Sequence, residues 1–276
     1  MSRITMTTSR KTKPTPEPMR RMSRRRTGRG PARRPTTTVA KLRAGHEAGL
    51  RAQARRAKAR LLAAKPKLRG VLHLVTFPLC IAASVVLIVL ARGALMKTAV
   101  SVFAATAILL FGNSALLHIG HGRWPMAVER VLRQIDYSNI FLIIAGTNTP
   151  FLMAFDPRIR WPYLAVVWAA AIAGTVCHVI WPDGKDVLFT VIYIVLGLAP
   201  VVLLPFMWTN PFIGPAGTVL IASGGACYIA GAVCFARRSP NPVPGWFGYH
   251  ELFHLGTVAG YACHVVAMFL TVCAMR

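Results

Sequence analysis

The sequence predicts an all-α membrane protein of seven transmembrane helices preceded by a basic tail, and three observations carry that expectation. Hydrophobic residues make up 54% of the 276-residue chain although its formal net charge is +25. Charge and apolarity are segregated: residues 1–70 hold 22 of the 33 Lys and Arg but only Glu17 and Glu47 of the eight acids. The remainder is built from seven apolar runs of about 20 residues, the length that crosses the hydrocarbon of a bilayer as a helix. A water-soluble core cannot hide so many runs of that length.

Taken in order, the tail comes first. Residues 1–40 are rich in Arg, Thr and Pro and too poor in apolar side chains to offset the entropy of ordering, so disorder is expected. From about Val39 to Ala64 the chain turns to Ala, Leu, Arg and Lys, which favours helix, although Leu42, Leu50, Leu61 and Leu62 make only a weak stripe. The tail is placed at residues 1–65 and the membrane domain at 66–276. So basic a segment suits anionic lipid headgroups, where each Lys or Arg near the surface adds about 1 kcal/mol. It carries no aromatic interleaving and no recognition motif, which counts against a nucleic-acid partner. No apolar run follows Ser23-Arg24-Arg25-Arg26 within reach, so a twin-arginine signal is not expected, and a secretory signal peptide fails on length and charge.

The seven segments fall at residues 71–91, 98–119, 136–155, 161–181, 186–208, 213–235 and 246–275. Each reads as apolar around its whole circumference, as lipid-facing helices should. Pro78, Pro150, Pro200 and Pro205 lie inside segments and should bend them. Gly224, Gly225 and Gly231 in the sixth allow close approach of a neighbouring helix. Trp124, Trp161, Trp181, Trp208 and Trp246 stand near segment ends, where interfacial anchors belong. Cys80, Cys177, Cys227, Cys234, Cys263 and Cys273 are dispersed without a Cys-x-x-Cys pair and read as small packing residues. The basic tail holds the N-terminus in the cytoplasm, and seven crossings then put Arg276 outside.

The candidate site starts from His250-Glu251-Leu252-Phe253-His254. Two histidines four apart share a helical face, so both imidazoles can reach one metal ion. His118, closing the second segment, is the best third ligand, with Ser114 one turn before it and Asp136 opening the third segment. In the predicted topology these residues lie at cytoplasmic helix ends, at similar depth. Ionisable groups at that depth are costly and mark functional sites. Three neutral imidazoles suit zinc with one position open to water, whose pKa the metal lowers to about 7. Asp136 could orient that water or take its proton, and Ser114 could bond it or a developing oxyanion. The reaction implied is hydrolysis of an amide or ester, with a membrane lipid as substrate.

Ser114-x-x-x-His118, Arg133-Gln134-Ile135-Asp136-Tyr137-Ser138-Asn139-Ile140, Ala145-Gly146-Thr147-Asn148-Thr149-Pro150 and His250-x-x-x-His254 resemble the haemolysin III family. That family sits in the larger group of the progestin and adiponectin receptors. Leu68-Arg69-Gly70-Val71-Leu72-His73-Leu74 resembles its bacterial members, which implies a bacterial plasma membrane. The resemblance covers about residues 66–275 and implies seven helices around a zinc ion near the cytoplasmic side. His118, His250 and His254 match the metal ligands, Asp136 the acid beside the metal-bound water, and Ser114 the adjacent serine. The receptor branch is associated with ceramide hydrolysis and the bacterial branch is named for haemolysis. The acidic residue that many receptor-type members carry before or in the first helix has no counterpart near His73, which counts against a receptor.

Two alternatives stay open. His250-Glu251-Leu252-Phe253-His254 also fits the zinc-protease motif with Glu251 as general base, and Pro182-Asp183-Gly184 resembles the aspartate motif of intramembrane proteases, in the wrong order along the chain. A metal could also staple helices together without catalysis, in a pore-forming, lipid-homeostasis or receptor-like protein. His73 and His178 read as interfacial hydrogen-bonding histidines, His121 as a loop residue, and His264 as too far along its helix to join the site.

Overall fold

The computed structural model describes residues 37–64, 66–181 and 186–276. The expected disorder of residues 1–36 and the Pro182-Asp183-Gly184 motif lie outside them. The chain divides into two units, residues 1–52 and 53–276. In the first, the described residues belong to helix α1 (Thr37–Ala64), whose side chains from Lys41 to Ala52 are exposed. Glu47 and Arg51 pair there one turn apart at 3.6 Å.

The described residues of the second unit from Pro66 on form helices joined by short connections: α2 (Val71–Leu90), α3 (Gly93–Ile119), α4 (Met126–Leu152), α5 (Pro157–Ile180), α6 (Asp186–Gly197), α7 (Leu204–Trp208), α8 (Gly214–Arg237) and α9 (Tyr249–Ala274). Sequence punctuation sets the ends. Asp156 caps α5 by accepting from the Arg158 N–H at 2.8 Å, with Pro157 at the first helical position, where no N–H is needed. Between α6 and α7, Pro200 supplies no N–H and the chain tightens into a 3-10 turn at Ala199–Leu203. The fifth segment is therefore a broken helix.

Among the described residues, six stretches are long and apolar enough to cross a membrane: α2, α3, α5, Leu188–Trp208, α8 and α9. Val89, Val166, Val195 and Phe206 are exposed on their outer faces, as lipid-facing side chains are. The third predicted segment differs. Helix α4 starts at Met126, ten residues ahead of the predicted start, after Pro125 and through Glu129 and Arg133, which pair at 3.0 Å. It is not apolar all round: Ser138, Asn139, Thr147, Asn148 and Thr149 are buried on it. The physical reason is its central place, packed against α3, α5, α6 and α9. Asn139 donates to the Leu109 carbonyl at 3.0 Å and Trp168 to the Thr149 hydroxyl at 3.1 Å, so Asn139 and Thr149 bond neighbouring helices instead of facing lipid.

Close packing of α8 on α9 fixes the start of α9. A Cβ on Gly256 would stand 2.7 Å from the Cys227 carbonyl oxygen, and one on Gly231 3.1 Å from that of Phe253. The segment leading into α2 is tied to the loop before α9: Lys67 N–H donates to the Gly245 carbonyl at 3.0 Å and Leu68 N–H to that of Trp246 at 3.2 Å. The Lys67 ammonium stands 4.1 Å from the Trp246 ring centroid. The entries to α2 and α9 are thereby brought to the end of α3.

Candidate metal centre

His250 and His254 occupy the first two turns of α9, and His118 the last turn of α3. Their ring centroids form a nearly equilateral triangle: 4.8 Å for His118–His250, 4.9 Å for His118–His254 and 4.7 Å for His250–His254. One nitrogen from each ring falls within 4.8 Å of the others, a group that could hold a metal ion. The Nε2 atoms of His118 and His250 are 3.3 Å apart. Tetrahedral ligands about 2.0–2.1 Å from a metal lie roughly 3.3–3.4 Å from one another, so this pair already has that spacing. His254 is buried, and its Nδ1 has no hydrogen-bond partner in the protein. Three imidazoles gathered this closely could serve as the donor set of a metal site.

Asp136 reaches this triangle from α4, its Oδ2 3.5 Å from His118 Nε2. Its side chain is 21% exposed and lines two cavities. One, of about 210 Å³, is polar at its rim and bounded by Arg69, His118, His121, Arg133 and His250. The other, of about 120 Å³, begins at His73, Ser114 and Asp136 and runs between Ile140, Ile143, Ile144 and Met207 toward Phe151 and His264. Ser114, buried one turn before His118, lines the same mainly apolar chamber as Asp136.

Glu251 is held differently. It is wholly buried, and both oxygens are engaged: Oε1 accepts from Arg69 Nε at 2.9 Å and Oε2 from the Gly248 N–H at 2.8 Å. The second contact caps α9, since a glutamate at the third helical position reaches back to the preceding backbone N–H. Glu251 therefore fixes the first turn of α9 and ties it to Arg69, just ahead of α2. It is not free to serve as the base of a protease.

The sequence assigned no site role to the Arg69-Gly70 stretch, nor to His73. The structure gives each a contact at the centre. Gly70 adopts φ +84°, and a Cβ on it would stand 2.7 Å from His118 Cβ, so only glycine fits. His73 lies flat on His254, with centroids 3.9 Å apart and planes 7° from parallel, and meets the Phe111 edge at 5.1 Å. At 2% exposure it is a buried wall of the site, not an interfacial histidine. The signal for it was its place three residues after Gly70, legible only once Gly70 is seen against His118.

The other histidines lie apart from the triangle. His121 sits in the loop after α3 and pairs with Glu129 at 2.8 Å. Burial pushes the Glu129 carboxyl up, but His121, the Gly122 N–H and Arg133 together outweigh it and hold the group below the usual glutamate range. His178 is buried between Tyr137 and Phe189, their ring centroids 4.9 and 4.7 Å away. His264 is ten residues beyond His254, about 15 Å along the helix.

A bundle of apolar helices with polar groups gathered at one end defines an integral membrane protein with a candidate metal site. The chain belongs to the haemolysin III family, since the Haemolysin-III related family profile matches residues 62–265. It is 31% identical over 166 residues to Hemolysin-3 of Bacillus cereus, an alignment covering 59% of this chain and 70% of that protein. To the Hemolysin-3 homolog of Bacillus subtilis it is 28% identical over 174 residues, 62% of this chain and 74% of the relative.

Proposed function

We propose that this protein is a zinc-dependent hydrolase of a membrane lipid amide or ester, ceramidase-like in its chemistry. The observation that carries this is the triangle of His118, His250 and His254 with the Asp136 carboxylate 3.5 Å from a ring nitrogen. The donors fit zinc, which takes neutral imidazoles at distances that match the 3.3 Å nitrogen pair. When bound, zinc supplies a Lewis acid and lowers the pKa of water. The chain's own residues do the rest. Asp136 takes the proton of the attacking water, and the Ser114 hydroxyl donates to the oxygen that gains charge. Arg69 and Glu251 hold the first turn of α9 in register, and His73 fixes the plane of His254. The apolar cavity receives the lipid chain and keeps bulk water from the reacting bond.

In the topology that goes with this proposal, α4 also crosses, third in chain order, and joins the six apolar stretches to make seven transmembrane helices. The basic tail lies in the cytoplasm against anionic headgroups, the C-terminus outside, and the site near the cytoplasmic face of a bacterial plasma membrane. The alternative is a zinc-stapled protein without turnover, pore-forming or lipid-regulating. It is favoured by the same triangle, which joins α3 to α9.

The test is to reconstitute the purified protein in vesicles with fluorescent ceramide and phospholipid ester probes, measuring zinc content and product together. About one zinc per chain with turnover that disappears in His118→Ala and Asp136→Asn supports the hydrolase. Zinc without turnover on any probe leaves the staple, and no zinc in folded protein removes both.

A further inference from the structure

The cavity on the polar side of Asp136 is lined in part by side chains to which the hydrolysis proposed above gives no task. Helix α4 contributes Arg133, Asp136, Tyr137 and Ile140, residues at spacings of three and four that share one helical face. Arg69, just ahead of α2, lines the cavity as well. Of the charged side chains in this lining, two are arginines and one, Asp136, is a carboxylate.

Both arginines are anchored, and both stay accessible. Arg69 Nε donates to Glu251 at 2.9 Å and Arg133 Nη2 to Glu129 at 3.0 Å, and neither glutamate belongs to the lining. Glu129 also pairs with His121 at 2.8 Å. A guanidinium carries five N–H donors in a planar fork, and each of these contacts engages one. The side chains keep 22% and 59% of their surface exposed. An arginine held through one donor, with the others uncommitted among the described residues, has its fork positioned for the oxygens of an anion.

The two cavities have Asp136, Ile140, Tyr193, Ala232 and Phe253 in common. An amphiphile whose chain lies in the apolar cavity therefore carries its polar end past Asp136 into the chamber with the arginines. We propose that this chamber is a headgroup site for phosphate, with Arg133 the specificity-determining residue and Arg69 the second contact, so that the protein takes phosphate-bearing lipids over neutral ones. The proposal rests on the lipid assignment above for the chain, but not on hydrolysis. It is tested by equilibrium binding of the full-length protein in neutral detergent micelles, with the metal content of every variant measured. The competitors are palmitoyl lysophosphatidic acid, monopalmitin, glycerol phosphate and inorganic phosphate, each displacing a fluorescent lysophosphatidic acid.

Lysophosphatidic acid should bind on the order of tenfold more tightly than monopalmitin, the gain expected for a charge-assisted contact. Arg133→Gln should remove most of that preference at unchanged metal content and leave monopalmitin binding as it is, while Arg133→Lys, which keeps the charge without the fork, retains part of it. Glu129→Gln breaks the same ion pair from the other side and should keep the preference within a few-fold, which separates a binding role for Arg133 from a structural one. Equal binding of the two lipids overturns the proposal. So does a full preference in Arg133→Gln, which would assign the phosphate to the basic tail or to bound metal, and so does an equal loss in Glu129→Gln. Displacement by glycerol phosphate or inorganic phosphate as effective as by the lipid overturns the headgroup assignment in favour of a free-phosphate site. Should Arg133→Gln fail to fold, an undiminished preference in Arg133→Lys overturns the proposal and a reduced one supports it. If no lipid is hydrolysed while the preference stands, the hydrolase assignment fails and this site does not.

Discussion

Two carboxylates stand beside the same histidines, and the protein holds them in opposite ways. Glu251, on α9 between two of the rings, is fully buried with one oxygen on Arg69 and the other on the Gly248 N–H. Asp136, on α4, keeps 21% of its side chain exposed and borders both cavities. Sequence proximity would have chosen Glu251 as the reacting acid, because it lies inside the metal motif. The acid that the sequence names for proton transfer is Asp136 instead, and its open position on both cavities agrees with that proposal. A carboxylate whose lone pairs are committed to a guanidinium and a helix cap can stabilise a fold but has little capacity to shuttle protons, whereas one facing a chamber can meet substrate and water.

The largest effect expected is on the histidines common to both sides. Replacing His118, His250 or His254 by Ala should take zinc from about one per chain to near zero, measured by mass spectrometry of metal content. The next separates the carboxylates. Asp136→Asn should keep zinc and the folded state and lose roughly 10²–10⁴-fold in turnover, the usual worth of a positioned acid or base. On the other side, Arg69→Met leaves a buried carboxylate without its cation and should cost about 3–5 kcal/mol, read as a lower unfolding temperature in detergent. His73→Ala removes the face on which His254 rests and should weaken zinc affinity about tenfold, while His73→Phe keeps a ring there and should hold it within a few-fold. Direct titration with a zinc chelator would show either.

The smallest effect lies at the first turn of α4, where Glu129 pairs with His121 of the preceding loop. Glu129 is held below the usual glutamate range, so its ion pairs stabilise the folded protein above the ordinary glutamate pKa, and that stability is lost as pH falls through the lowered value. Thermal unfolding of wild type and Glu129→Gln should therefore differ at neutral pH and converge in acid.

Much of this was legible in the chain. The apolar runs and the pairing of His250 with His254 could be read from length and spacing, because lipid demands about 20 residues per crossing and residues four apart share a helical face, while His118 was the candidate third member from another segment. What could not be read was contact made across the bundle. Helix α4 looked uniformly lipid-facing and is the most polar of the bundle, since Asn139 and Thr149 find partners on neighbouring helices that hydropathy cannot see. His73 passed for an interfacial residue because its stacking partner lies on α9, far along the chain. Glu251 was ambiguous for the same reason: nothing local announces Arg69. His264 was set aside as too far along its helix to join the candidate site, and the structure places it instead among the residues that line the apolar cavity.

The measurement that separates the two carboxylates most directly is turnover per bound zinc for Asp136→Asn and Glu251→Gln, side by side in the same vesicles. Glu251→Gln should unfold at lower temperature yet turn over within a few-fold of wild type for each zinc it holds, while Asp136→Asn is folded, zinc-loaded and inactive. An active Asp136→Asn beside a folded, zinc-loaded and inactive Glu251→Gln would contradict it, and would return the reacting base to the helix that carries the two histidines.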